Sequence, residues 1–299
     1  MDNKTIGVVD IGSNSTRLSI YRCEDGGSRM LLNKKKMTGL AQYVKNGVMT
    51  KEGIREAVNA VRSFKQLLSN LDVKEMHIFA TASLRNVSNS IETAKAIEDA
   101  VGVHVDIISG EEEGELSFYG AMGKCTINTG ILVDLGVGST EIVHFKDRSI
   151  NESYSLPVGS LSLFKKYVKG LWPDENEISA MRKIIKSQIR EQETDNTPAE
   201  EICGVGGTIR AVCRLVNEVY DRPEECREFT LEELEKVCSI IRNGGSDRKK
   251  LLIKVVPDRL HTIMPGMIIL RTIMKEFGSK RVEVSSAGVR EGYLLKKIF

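Results

Sequence analysis

The feature that most constrains this sequence is a repeat within it. Residues 9–21 read VDIGSNSTRLSIY and residues 133–145 read VDLGVGSTEIVHF. Val9/Val133, Asp10/Asp134, Gly12/Gly136, Ser15/Ser139 and Thr16/Thr140 are identical, and Ile11/Leu135, Leu18/Ile142 and Tyr21/Phe145 stay apolar. Each copy predicts a strand, a turn of small residues ending in Ser-Thr, and a second strand. One copy alone would read as an ordinary hairpin with a turn glycine. Two copies, 124 positions apart, argue for two related domains whose turns share a use. The turn offers backbone N–H groups and hydroxyls that can converge on phosphate oxygens. The aspartate at the strand end can hold a divalent cation directly or through water. Two such hairpins facing each other would make a cleft.

The rest of the chain alternates strands and helices, which predicts an α/β layer architecture. Strands are expected at 5–11, 16–23, 28–36, 75–81, 103–108, 129–135, 139–146, 149–157 and 281–285, with Gly26-Gly27 as a turn. Helical spacing of apolar residues predicts helices at 50–70, from Asn89, and at 110–123, 160–169, 174–192, 206–219, 230–242, 265–277 and 288–299. Asn89 with Glu92, and Thr230 with Glu233, have the spacing of N-terminal capping boxes. At 299 residues the chain has room for two domains of ~150 residues. They are expected at 1–122 and 123–287, with the helix 288–299 packing back on the first.

Composition narrows the function classes. The formal net charge is +2 and aromatics are 5%, too neutral for a general nucleic-acid coat and too poor in stacking rings for a single-strand binder. No apolar run reaches the ~18 residues of a membrane span, and residues 1–12 lack the pattern of a signal peptide. Six cysteines without CxxC spacing predict buried free thiols in a reducing cytoplasm. Neither a GxSxG elbow nor a GxxxxGK[ST] loop occurs.

Three further segments carry candidate chemistry. ICGVGGTIRAV (202–212) predicts a strand, a glycine turn at Gly206-Gly207, Thr208 and a helix, a pattern that binds anions but also serves close strand–helix packing. In SGEEEGE (109–115), Ser109 and Glu112 suit a capping box and Glu111 complements the helix dipole. Glu113 is left without a structural task, although spacing alone favours a solvent-exposed side chain. Arg85, after strand 75–81, could fork onto a phosphate or serve a surface ion pair; the residues leave both open. Lys165-Lys166, Arg210, Arg248-Lys249-Lys250 and Arg290 are positions where positive charge could gather for a polyanion.

Taken together, VVDIGSNSTRLSIYR (8–22), ATASLRN (80–86), IISGEEEGELSFYGA (107–121), ILVDLGVGSTEIV (131–143), LPVGSLSLF (156–164), GVGGTIRAV (204–212) and SSAGVREGYLL (285–295) resemble the exopolyphosphatase / guanosine pentaphosphate phosphohydrolase family of the actin-like ATPase superfamily. The resemblance spans nearly the whole chain. It implies two actin-like (ribonuclease H-like) domains with mixed sheets flanked by helices and an interdomain cleft. It implies hydrolysis of the terminal phosphoryl group of inorganic polyphosphate or guanosine pentaphosphate with Mg²⁺, Mn²⁺ being the alternative metal. Carried over by motif, the catalytic glutamate falls on Glu113, as general base, and the family's arginine falls on Arg85. The phosphate loops fall on Gly12, Ser13, Asn14 and Ser15, on Gly136, Gly138 and Ser139, and on Gly206, Gly207 and Thr208. Asp134, with Asp10, is associated with the metal. Short chains are the expected substrate, because the helical C-terminal region of long members is missing. Family members are often homodimers. Val137 stands where DxGGGS members have glycine, and RLHTIMPGM (259–267) matches only loosely.

Two other readings compete. The hairpins alone would also suit an actin-like kinase, which phosphorylates an acceptor. A non-catalytic sensor of polyphosphate or guanosine tetra- or pentaphosphate would bind without releasing phosphate.

Overall fold

The computed structural model describes residues 4–24, 27–192 and 198–299; Gly26 of the expected turn lies outside the described residues. In chain order the elements are β1 (Lys4–Ile11), β2 (Ser15–Glu24), β3 (Gly27–Met37), a 3-10 turn (Leu40–Tyr43), β4 (Val44–Lys45), β5 (Val48–Met49), α1 (Lys51–Asn70), β6 (Glu75–Ala80), α2 (Ala82–Arg85), α3 (Ser90–Val101), β7 (Val105–Ile107) and α4 (Gly110–Met122). They continue with β8 (Gly130–Leu135), β9 (Thr140–Lys146), β10 (Ser149–Leu156), α5 (Ser160–Tyr167), α6 (Glu175–Arg190), β11 (Glu201–Val205), α7 (Gly207–Val219), β12 (Glu228–Thr230), α8 (Leu231–Asn243), α9 (Gly245–Val255), α10 (Ile263–Glu276), β13 (Arg281–Val284) and α11 (Val289–Tyr293), which runs into a π turn at Leu294–Ile298.

The chain divides into two compact units, Met1–Glu113 and Gly114–Phe299. The sequence reading put the boundary after residue 122; the division falls inside α4 instead. From Gly114 onward that helix belongs with the second unit. Phe118 packs on Phe145 with ring centroids 5.2 Å apart, and α11 crosses α4 backbone to backbone. A Cβ at Gly120 would lie 2.0 Å from Gly288 O, and one at Gly292 1.8 Å from Leu116 O. The C-terminal segment therefore packs on the part of α4 that lies in the second unit.

The repeat is a repeat of topology. The first sheet runs β3-β2-β1-β6-β7 and the second β10-β9-β8-β11-β13, with β12 added at its edge. In both, the first three strands pair antiparallel and the next two join parallel. The hairpin register is also shared: Asp10 faces Arg17 and Ile11 faces Thr16, as Asp134 faces Glu141 and Leu135 faces Thr140.

Strand alternation sorts the core. Val9 and Ile11, Leu18 and Ile20, and Ile78 and Ala80 share a cluster with Ala57, Val61 and Phe64 of α1 and Ile97 of α3. In the second unit Ile131, Val133 and Leu135 of β8 pack with α5–α8 and α10. Leu132 joins Phe118 and Ala121 of α4 on the other face. By the same alternation Asp134 points to the α4 face, which decides its surroundings.

Thr230 and Glu233 form the expected capping box. Asn89 does not cap α3; its side chain accepts from Met49 N at 2.8 Å and donates to Met49 O at 3.0 Å, holding β5 in place. Helix α9 went unpredicted, since GSDRKKLLIKV follows Gly244 and opens with a further glycine and a charge run. All six cysteines are free, but Cys226 and Cys238 are only half-buried.

Candidate active site

In the first unit the turn between β1 and β2 closes on itself by a hydrogen bond from Gly12 N to Ser15 O at 3.1 Å. The turn between β8 and β9 does the same, Gly136 N to Ser139 O at 3.1 Å. Each is held from behind by the segment that follows the third strand. Ala41 N donates to Ser13 O at 2.8 Å and Gly39 N to Asn14 O at 2.9 Å. In the second unit Leu161 N and Ser162 N donate to Val137 O at 3.0 and 3.1 Å, and Ser160 N to Gly136 O at 3.2 Å. Thr16 Oγ1 meets Thr38 Oγ1 at 3.2 Å, and its counterpart Thr140 donates to Val158 O at 2.6 Å. The duplication thus includes the supports of the turns, a level of likeness that the aligned motifs do not reveal. With their carbonyls tied back, both turns keep the geometry in which N–H groups can face an anion.

Arg85 sits on α2, which is pinned to the end of β1. Thr81 N donates to Ile11 O at 3.5 Å, and the Ser83 hydroxyl donates to the same carbonyl. From there Arg85 Nη1 donates to Glu113 Oε2 at 2.8 Å and to Ile108 O at 3.2 Å. Glu113 is buried, in the first turn of α4, and Glu112 N donates to the N-cap Ser109 Oγ at 3.0 Å. The sequence alone left Glu113 in solvent and Arg85 undecided; the structure joins them in one ion pair.

In the second unit Asp134 is buried at the end of β8. It accepts the Ser117 hydroxyl on Oδ2 at 2.5 Å. Gly206, at φ 98°, lets α7 start directly beneath it: a Cβ there would lie 2.9 Å from Asp134 Oδ1. Burial pushes the Asp134 carboxyl above the usual carboxylate range; the Ser117 hydroxyl and the charges of Arg210 and Arg290 act the other way. A buried acid of raised pKa beside cationic groups is poised to ionise when further positive charge arrives. Among the described residues no three His, Cys, Asp or Glu side chains gather as a metal site. The single carboxylate of Asp134 could hold a cation whose remaining shell is substrate oxygens and water. Asp10, the other expected metal residue, is half-buried at the equivalent strand end of the first unit.

The glycine turn after β11 joins the second loop through a residue the sequence did not single out. Ser160 Oγ lies 3.4 Å from both Gly136 O and Thr208 Oγ1, so Gly136, Thr208 and Ser160 form one cluster. Arg259 was also missed. Its guanidinium lies against the first residue of α7, where a Cβ at Gly207 would be 2.6 Å from Nη2. The Arg259 side chain is 17% exposed and has Asp258 at 3.8 Å; burial holds it below its ordinary value, with Asp258 opposing. It lies in the loosely matching 259–267 segment, and no spacing rule marks it. Of the expected basic positions, Arg210 and Arg290 reach the field of Asp134. Lys165 and Lys166 are exposed, and Arg248 stacks over the Trp172 ring at 3.9 Å.

The sequence model of the Ppx/GppA phosphatase family matches residues 8–298. Exopolyphosphatase 1 of Mycobacterium bovis is 24% identical over 302 residues, 98% of this chain and 88% of that protein. A crystal structure of the Aquifex aeolicus Ppx/GppA family member superposes with TM-score 0.82 at 26% identity, covering 99% of this chain and 97% of that one. An exopolyphosphatase structure from Cytophaga hutchinsonii gives TM-score 0.87 at 19% identity, covering 99% and 98%, a likeness of fold. The two mixed sheets of common topology are those of the actin-like fold. The chain belongs to the Ppx/GppA phosphatase family.

Proposed function

We propose that this protein is an exopolyphosphatase that removes the terminal phosphoryl group of short inorganic polyphosphate as orthophosphate. The observation that carries the reading is the Arg85–Glu113 pair on the elements that flank the first loop. The relatedness to exopolyphosphatase 1 of Mycobacterium bovis supports the substrate class.

In this reading the two loops and Thr208 bind phosphoryl oxygens through backbone N–H groups and hydroxyls. Glu113 Oε takes a proton from a water whose oxygen attacks the terminal phosphorus. The P–O bond to the chain breaks, and its electrons leave with the shortened polyphosphate. Arg85 orients the carboxylate and adds positive charge beside the developing phosphoryl charge. Arg259 adds a second guanidinium at the start of α7. A bound Mg²⁺, held by Asp134, would supply charge neutralisation for the transferred group and the leaving oxygen.

The test is orthophosphate release by purified protein from tripolyphosphate, long polyphosphate and guanosine pentaphosphate, with Mg²⁺ and with chelator. The reading expects release from tripolyphosphate, without any acceptor and only with metal. Preferred hydrolysis of guanosine pentaphosphate would reassign the substrate. Tight binding without release would make the protein a sensor, and acceptor-dependent transfer would make it a kinase.

A further inference from the structure

The second unit holds a cavity of about 240 Å³ between α6, α8 and α10. Its floor is apolar, with Ile178, Met264 and Met267, and its lining includes three guanidiniums, Arg182, Arg242 and Arg271. Two of these are satisfied. Arg271 donates to Glu235 Oε1 from Nε at 3.0 Å and Nη2 at 2.6 Å. Arg242 pairs with Glu175, its Nη2 2.6 Å from Oε2. Arg182 differs: among the described residues, no hydrogen bond or ion pair engages it. Burial, then Arg271 and Arg242, hold it below its ordinary value, with Glu175 and the Cys238 thiol opposing. A half-buried guanidinium between two others lacks the anion that would complete its fork.

The floor and the guanidiniums together select the ligand. An inorganic anion would meet the arginines and gain nothing from the apolar part of the lining. A neutral apolar molecule would cover the floor and leave Arg182 as it is. Small-ligand sites combine an apolar surface with a few placed polar groups in this way. We propose that this pocket binds a small organic carboxylate with an aryl or branched apolar body, its carboxylate on Arg182 and its body on Met264 and Met267.

Calorimetric titration of the full chain tests this with three probes: phenylacetate, the neutral phenylacetamide and acetate. Phenylacetate should bind at one saturable site, at least about tenfold more tightly than phenylacetamide, a charge-assisted pair being worth roughly 1.5–3 kcal/mol, and more tightly than acetate, which lacks the apolar body. Arg182→Gln, which loses no internal partner and so leaves folding intact, should weaken phenylacetate at least about tenfold by the same arithmetic. Met267→Ser should weaken it with the arginines untouched. No saturable binding of phenylacetate, equal binding of phenylacetamide, or unchanged binding by Arg182→Gln would overturn the proposal. None of these readouts involves phosphate release, so the pocket stands or falls independently of the catalytic reading.

Discussion

Arg85 and Glu113 meet at 2.8 Å with side chains 18% and 11% exposed. Each would be a charge half out of water without the other. Removing one partner of a fully buried pair costs about 3–5 kcal/mol, because the remaining charge is stranded. With this residual exposure, Arg85→Ala should lower stability by about 2 kcal/mol. The double variant Arg85→Met/Glu113→Gln should regain most of that loss. Urea unfolding of the parent and the two variants measures it; an Arg85→Ala protein as stable as the parent would show that the pair does not form in solution.

Asp134 gives a pH dependence of definite sign. Its carboxyl titrates above its ordinary value of 3.8 when folded, so the folded state holds the proton more tightly than the unfolded chain. This contribution is present in full below that ordinary value and is lost as pH rises through the raised folded value. Asp134→Asn, which cannot ionise, should flatten this part of the stability–pH curve and melt higher than the parent at neutral pH without metal. It should also lose phosphate release. Melts from pH 3 to 8 check the first half, and a variant less stable than the parent at neutral pH would contradict it.

Helix α10 buttresses the cluster of Gly136, Ser160 and Thr208 at one point. A Cβ at Gly266 would come within 2.3 Å of Thr208 Cγ2, and Thr208 is buried. Gly266→Ala should push Thr208 away from Ser160 and raise KM for tripolyphosphate more than it lowers kcat. Thr208→Ser removes the clashing methyl and keeps the hydroxyl, so adding it should restore KM. A KM left high in the double variant would place the damage in α10 rather than at Thr208.

The architecture was legible because the two signals it rests on are local. Strand–turn–strand periodicity and the repeated motif do not depend on tertiary context, and both hairpins follow them in register. The partnerships were not legible, since they join positions far apart in the chain. Nothing near Glu113 announces Arg85, and nothing near Asp134 announces Ser117, until β-strand alternation and α4 bring them together. Asn89 shows the reverse case: the local capping signal was overridden by a backbone 40 positions away that needed both a donor and an acceptor. Arg259 had no pattern to betray it; its place beside Gly207 comes from where the turn at Pro257–Arg259 leads the chain.

Arg259 should contribute to binding rather than to proton transfer, because its guanidinium lies at the start of α7. Replacing a charge-assisted contact to phosphate forfeits roughly 1.5–3 kcal/mol. Arg259→Gln is therefore expected to raise KM for tripolyphosphate at least about tenfold, with the pH profile of kcat unchanged. Steady-state kinetics across pH separate the two effects; an unchanged KM would remove Arg259 from the phosphate site.

The most direct test of the central claim is Glu113→Gln. The amide keeps the shape and can still meet Arg85, but it cannot take a proton from water. Orthophosphate release from tripolyphosphate in single turnover should fall by ~100-fold or more, while tripolyphosphate still binds within a fewfold of the parent by calorimetry. Release at the parental rate by a correctly folded Glu113→Gln protein would contradict the account.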